Sequence, residues 1–323
     1  MKIDIDKLKL VPPSMKTSQG LELCTYGDVS SEIENWISHH SLITNKNGKY
    51  TNIIIKDIAL SELFLIPHVF DYMDGFSPNL NKKLHIGHFS NLVLAKAFYE
   101  MNVANTLISI YGDAHEGELS IPEACKLIQK LYNTFKFHPN QEYLASEMKY
   151  EGDALIDENE GDYAGTKIFD VDNEKIVGIK SNGTTTYFYQ DVCLAEKLKS
   201  AHGHNFPPKT LYLTGAEQEN HFRLLKKLYP YIQHIPLGLV KVSGKKMGTR
   251  FGNVIYIEDF IEEIKAGFDS SELNEEELIK IIYNVFAGFV LRGTPESDKN
   301  INMDVMNNPK NSPGLYLSYT LAR

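Results

Sequence analysis

Apolar and polar positions alternate along this chain in a rhythm of short strand-like and longer helix-like stretches. An apolar run at 63–66, continued by Val69-Phe70, reads as a buried strand that Pro78 stops from continuing in a central ladder. Val93, Leu94, Ala97, Phe98 and Met101 then recur at helical spacing, which predicts an amphipathic helix whose first turn begins just after His88. A second strand at 106–111 ends at Gly112-Asp113. Together these make a β-loop-α-β unit, and such units bind ligands at the carboxyl ends of their strands.

The pattern then becomes helical from Ser120 and acidic over 151–162, a charge run that reads as a solvated face. Alternation over 175–179, the pair Asn182-Gly183 and the run Thr184-Thr185-Thr186-Tyr187-Phe188-Tyr189 predict a hairpin with a type I′ turn and a tyrosine-rich second strand. The α/β rhythm returns with a strand at 210–213, a helix at 220–228 carrying Leu224, Leu225 and Leu228, and a strand at 238–242. The last quarter is helical. Asn274 and Glu277 form a cap for the stripe Leu278, Ile282, Val285, Phe286 and Phe289, and a further helix follows Pro313-Gly314. In the first 60 residues the pattern predicts a short helix around Ile33, Trp36 and Ile37, then a turn at 46–49 before a strand at 51–55.

Composition bounds the chemistry. The 323 residues carry a net charge of −9, which argues against a polyanion binder that works through a broad basic surface. Cys24, Cys125 and Cys193 are odd in number and far apart, as reduced thiols are. No apolar run has the length of a membrane span, and the charged start 1–6 lacks a secretory core, so a cytoplasmic protein is expected.

Two stretches carry candidate chemistry. In 77–88, His85 and His88 flank Gly87 at the expected start of a helix, where free backbone N–H groups and the positive end of the dipole favour a phosphate. Taken alone, the same residues also fit surface histidines or half of a metal site. The later loop 243–253 combines three glycines with Lys245, Lys246 and Arg250, which suits a mobile phosphate-contacting loop or a solvated basic turn.

Taken together, His85-Ile86-Gly87-His88 after one strand and Lys246-Met247-Gly248-Thr249-Arg250 after a later one resemble the two nucleotide-binding motifs, HIGH-like and KMSKS-like, of class I aminoacyl-tRNA synthetases. Ser77-Pro78-Asn79, Gly215-Ala216-Glu217-Gln218 with His221-Phe222, Gly252-Asn253-Val254 and Tyr319-Thr320-Leu321-Ala322-Arg323 narrow the resemblance to arginyl-tRNA synthetases. The resemblance covers roughly 61–323. It implies an α/β Rossmann-type parallel sheet over 61–265 with an insertion at about 115–180, helical segments over 266–323, and a short N-terminal region, 1–60, of no assigned role.

It further implies activation of L-arginine with ATP to arginyl-adenylate and pyrophosphate, followed by transfer to tRNA, with Mg2+ arriving on the nucleotide. By position, His85, His88, Lys82, Lys246 and Arg250 take the catalytic roles, and Gly87, Met247, Gly248, Thr249 and Gly215 contact ATP. Asp74, Asn79, Tyr187, Asp191 and Gln218 form the arginine pocket. Two carboxylates, Asp74 and Asp191, suit a planar, permanently charged guanidinium. Asp74 is one methylene shorter than the Glu common in the family. Thr249 stands where other class I enzymes have a catalytic lysine, and Lys82, three residues before His85, matches the position thought to compensate. Gly248 and Phe251 also depart from the loop's usual Ser and Lys. The resemblance stops where the family's anticodon-binding domain would begin, so the expectation is a catalytic core. The alternatives are a tRNA-independent ligase that passes arginine to an amine or carrier, and a non-catalytic sensor of arginine or nucleotide.

Overall fold

The computed structural model describes residues 10–11, 16–17, 20–26, 43–47, 50–55, 69–113, 118–202, 207–247, 253–267, 273–306 and 312–316. The chain divides into two compact units, Met1–Pro67 and His68–Arg323. In the first unit, β1 (Leu10–Val11), β2 (Lys16–Thr17), β3 (Gly20–Tyr26), β4 (Ile43–Asn47) and β5 (Tyr50–Ile55) form an antiparallel sheet in the order β1-β3-β5-β4, with β2 on β3. Asn47 pairs with Tyr50, so Lys46 and Asn47, expected in a turn, belong to β4, while 48–49 lie outside the described residues. The expected helix around Trp36 and the apolar run 63–66 lie outside the described residues.

The second unit is built on a parallel sheet of β6 (Phe70–Asp74), β7 (Ala104–Tyr111), β8 (Gln141–Leu144), β12 (Thr210–Gly215) and β13 (Ile232–Leu237), ordered β13-β12-β6-β7-β8. This is the α/β parallel sheet expected from the alternating pattern. Helix α1 (Ile86–Glu100) connects β6 to β7, and α2 (Ile121–Phe135) connects β7 to β8. Ile86, Phe89, Leu92, Val93, Leu94 and Ala95 of α1 are buried between the sheet and two later helices, α5 (Ile257–Ala266) and α6 (Glu275–Val290). Phe89 stacks on Phe286 with ring centroids 4.5 Å apart. Burying a side chain of this size contributes about 1.5–3 kcal/mol, so this layer fixes the axis of α1. Asn274 caps α6, and Glu277 returns the bond, as the sequence predicts.

Three elements depart from expectation. Helix α1 begins at Ile86, not after His88, because the imidazoles themselves supply the cap. The tyrosine-rich run is not a strand: Tyr187 opens α3 (Tyr187–His202). Thr186 accepts from the Tyr189 N–H at 3.3 Å and donates to the Val177 carbonyl, while Phe188, Val192, Ala195 and Leu198 bury themselves at helical spacing. Tertiary burial thus overrides the strand preference of Thr, Tyr and Phe. The chain does turn back at Asn182-Gly183, where Ile179 bridges Thr185, but only Gly183 (φ 82°) is in the left-handed region; the turn with two such residues lies at Asp172 (φ 52°) and Asn173 (φ 65°). It joins β10 (Thr166–Val171) to β11 (Glu174–Ile179), which pair in a separate antiparallel sheet with β9 (Leu155–Glu158). The acidic run 151–162 is largely exposed.

The segment expected as an insertion therefore divides, with α2 and β8 extending the parallel sheet and β9–β11 standing outside it. The strand expected at 238–242 is also broken. Gly238 approaches the Ser297 backbone so closely that a Cβ would lie 2.2 Å from its carbonyl oxygen, and the chain leaves the parallel sheet there. It enters β14 (Val240–Val242), which pairs with β15 (Lys245–Lys246) and β16 (Lys299–Ile301). Two further helices are α4 (Glu219–Leu228) and α7 (Met303–Met306). Among the described residues, no helix is long and apolar enough to cross a membrane.

Candidate active site

Strands β6 and β12 end side by side at Asp74 and Gly215, and the chain leaving them borders a cavity of about 460 Å3. The cavity brings together Asp74, Asn79, His85, Gly87, His88, Gly215, Gln218, Lys246 and Met247, residues from both signature stretches.

The histidine end is built by the helix start. His85 is the N-cap of α1, and its Nδ1 accepts the Gly87 N–H at 3.1 Å. His88 Nδ1 accepts the His85 N–H at 3.1 Å, and the two rings stack at 3.9 Å. With both Nδ1 atoms engaged as acceptors, the ring protons sit on Nε2, so each neutral imidazole offers one Nε2–H donor. Burial keeps them neutral: it pushes His88 down to about 3, aided by His85 and Lys82, and lowers His85 in the same sense. Gly87 is needed where it stands, since a Cβ there would lie 2.9 Å from the His85 ring. The result is a pair of N–H donors at the positive end of a helix dipole.

Main-chain bonds tie this end to the segment that follows the second signature. Ile86 N–H donates to Ile255 at 3.0 Å and Ile257 N–H to Leu84 at 3.1 Å. Asn253 Nδ2 donates to the Lys246 carbonyl at 2.9 Å, closing the base of the second loop. Lys246 and Met247 line the cavity, whereas Gly248, Thr249, Arg250 and Phe251 lie outside the described residues. Lys82 is exposed and does not line the cavity.

The carboxylate end is less settled. Asp74 is buried, and burial raises its carboxyl to about 7; the Ser77 hydroxyl, donating at 2.5 Å, opposes this, and the Asp191 charge adds to it. Asp191 lies one turn after Tyr187 on α3 and bonds His221 Nε2 through Oδ2 at 2.7 Å. Tyr187, 57% exposed, donates to Asn79 Oδ1 at 3.2 Å and borders a neighbouring cavity of about 240 Å3 that shares Asn79. Tyr187 borders only the neighbouring cavity and Asp191 lines neither, whereas Gln218 lines the main cavity from an exposed position. Sequence reasoning gave no role to Ser77 or His221. Both lie in quoted motif words, but only the fold aims Ser77 at Asp74 and brings His221 on α4 to Asp191 on α3.

No protein-family profile matches the chain. The chain is 40% identical over 110 residues to the arginine–tRNA ligase of Limosilactobacillus reuteri, a match spanning 31% of this chain and 19% of that protein. To the arginine–tRNA ligase of Lactobacillus acidophilus it is 27% identical over 226 residues, 64% of this chain and 40% of the relative. The chain thus spans less than half the length of these relatives. Among solved structures, the Thermus thermophilus arginyl-tRNA synthetase superposes with a TM-score of 0.55 at 13% identity, covering 97% of this chain and 76% of that one. An arginyl-tRNA synthetase from Campylobacter jejuni gives 0.52 at 12% identity, covering 78% and 70%. The chain is accordingly related in sequence to part of the arginine–tRNA ligases and shares the fold of arginyl-tRNA synthetases.

Proposed function

We propose that the protein activates L-arginine with ATP, forming arginyl-adenylate and pyrophosphate, and passes the arginyl group to tRNA. The observation that carries this reading is the single cavity bordered by the paired histidines, Lys246 and Asp74. A donor end and an acidic end in one cavity suit a triphosphate and a guanidinium held together.

In this reading the arginine carboxylate attacks the α-phosphorus in line. A carboxyl–phosphorus bond forms as the bond to pyrophosphate breaks, so catalysis consists of positioning and charge neutralisation. His85 and His88 donate Nε2–H to triphosphate oxygens, with Gly87 and Gly215 allowing close approach. Their Nδ1 lone pairs are committed to backbone N–H groups, which fits contact with phosphate oxygens. Magnesium enters with the nucleotide and neutralises its phosphates. Lys246 supplies a further cation, with Lys82, Arg250 and the Met247-Gly248-Thr249 segment completing the clamp. Asp74 and Asp191 take the guanidinium, Tyr187 sets its plane, and Asn79 and Gln218 hold the amino and carboxylate ends. The names of the relatives speak for tRNA as acceptor.

Arginine-dependent ATP–pyrophosphate exchange, run with and without tRNA, tests this. Exchange that needs arginine is expected, and a requirement for tRNA as well supports transfer to tRNA. Exchange indifferent to arginine under both conditions overturns the reading.

A further inference from the structure

Tyr212 lies at the centre of β12, directly opposite Asp74 of β6 in the parallel register. Its side chain belongs to the cluster that packs under α3 and α4, with Tyr189, Phe222 and Leu225. It is 1% exposed, yet its hydroxyl has no hydrogen-bond partner among the described residues. A buried phenol in this state is destabilising relative to a satisfied one, and phenylalanine would fill the same space without that penalty.

The polar groups that act on this hydroxyl identify what it serves. After burial itself, the strongest influences on it are the carboxylates of Asp191 and then Asp74, and together they hold its proton on. Toward an ionised carboxylate a phenol acts as a donor. In the free protein the Asp74 carboxyl keeps much of its proton and accepts from Ser77. A guanidinium entering the site draws that proton off and leaves an ionised carboxylate with room for another donor.

We propose that Tyr212 is a positioning residue of the guanidinium pocket, its buried hydroxyl donating to the Asp74 carboxylate once arginine is bound. The inference rests on the arginine-activating reading above. Tyr212 acts through Asp74 and does not touch substrate. The unpaired hydroxyl destabilises the free protein, and the hydrogen bond made in the bound state offsets this.

Tyr212→Phe in the full chain tests this, with L-arginine binding by calorimetry, the KM values for arginine and ATP in pyrophosphate exchange, and the thermal midpoint. Arginine affinity should fall about tenfold, the loss of one hydrogen bond to a charged group, while the KM for ATP stays constant and the thermal midpoint is unchanged or higher. A variant that binds arginine like the wild type overturns the inference and leaves the functional reading standing. A lower thermal midpoint with both KM values raised also overturns it, by making Tyr212 structural. A wild-type protein that neither binds arginine nor exchanges pyrophosphate in response to it removes the functional reading and this inference together.

Discussion

The two ends of the central cavity are in opposite states before any substrate arrives. At the histidine end both ring Nδ1 atoms have backbone partners: two imidazoles cap their own helix, stack on each other and remain neutral. At the carboxylate end Asp74 is buried within the field of a second acid, Asp191, and Tyr212, opposite Asp74 in the sheet, has a hydroxyl with no partner among the described residues. The first end is preorganised by the backbone, so binding there costs little reorganisation. The second holds unfavourable electrostatics that a proton relieves in the free protein and a bound cation would relieve in its place. Selectivity for a cationic amino acid should therefore come from the strained end, and general affinity for phosphate from the satisfied one.

The largest test of this contrast is Asp191→Asn. Removing one charge of the acidic pair should lower arginine-dependent exchange by about 100-fold or more, the scale for loss of a buried charge partner, with ATP binding retained. Wild-type arginine affinity in this variant would refute the pocket assignment. Gly87→Ala attacks the satisfied end. Its Cβ would press on the His85 ring, and the KM for ATP should rise about tenfold as the donors shift, with arginine binding little changed. Equal losses for both substrates would erase the division between the ends.

A smaller effect should appear on changing pH. With Asp74 titrating near 7, arginine affinity should fall about fivefold from pH 7 to pH 6, as the carboxylate is lost. Stability runs the other way. The folded carboxyl keeps its proton up to about 7, whereas the unfolded one loses it near 3.8, so the native state binds more protons between those values and loses stability as pH rises through that window. Asp74→Asn should thus be more stable than wild type above pH 7, by at most about 4 kcal/mol, and no more stable below pH 4. Parallel melting curves at any pH would contradict the burial of an ionisable group there.

Much of this arrangement was legible in the residues. The strand ending before Pro78, the apolar stripe of α1 and the Asn274 cap each follow from local patterns that the fold keeps. What escaped the sequence depends on partners distant along the chain. Nothing local tells a histidine at a helix start to cap it, and the run 184–189 has strand-forming residues that become helical only because Phe188 and Val192 meet a core. Strand β13 was missed because His234 and Pro236 interrupt its apolar run, which an edge strand tolerates. His221 and Tyr212 could not be assigned for a similar reason, since their partners lie 30 and 138 positions away, at Asp191 and Asp74.

The pair of main-chain bonds between 84–86 and 255–257 carries a consequence for how such a protein can change over time. Because amide and carbonyl groups are common to all residues except for proline's missing N–H, the junction that holds the two signature regions together does not depend on which side chains occupy it. Substitutions can accumulate on either side without loosening that junction. A fold shared at 13% identity is what such side-chain-independent joinery permits.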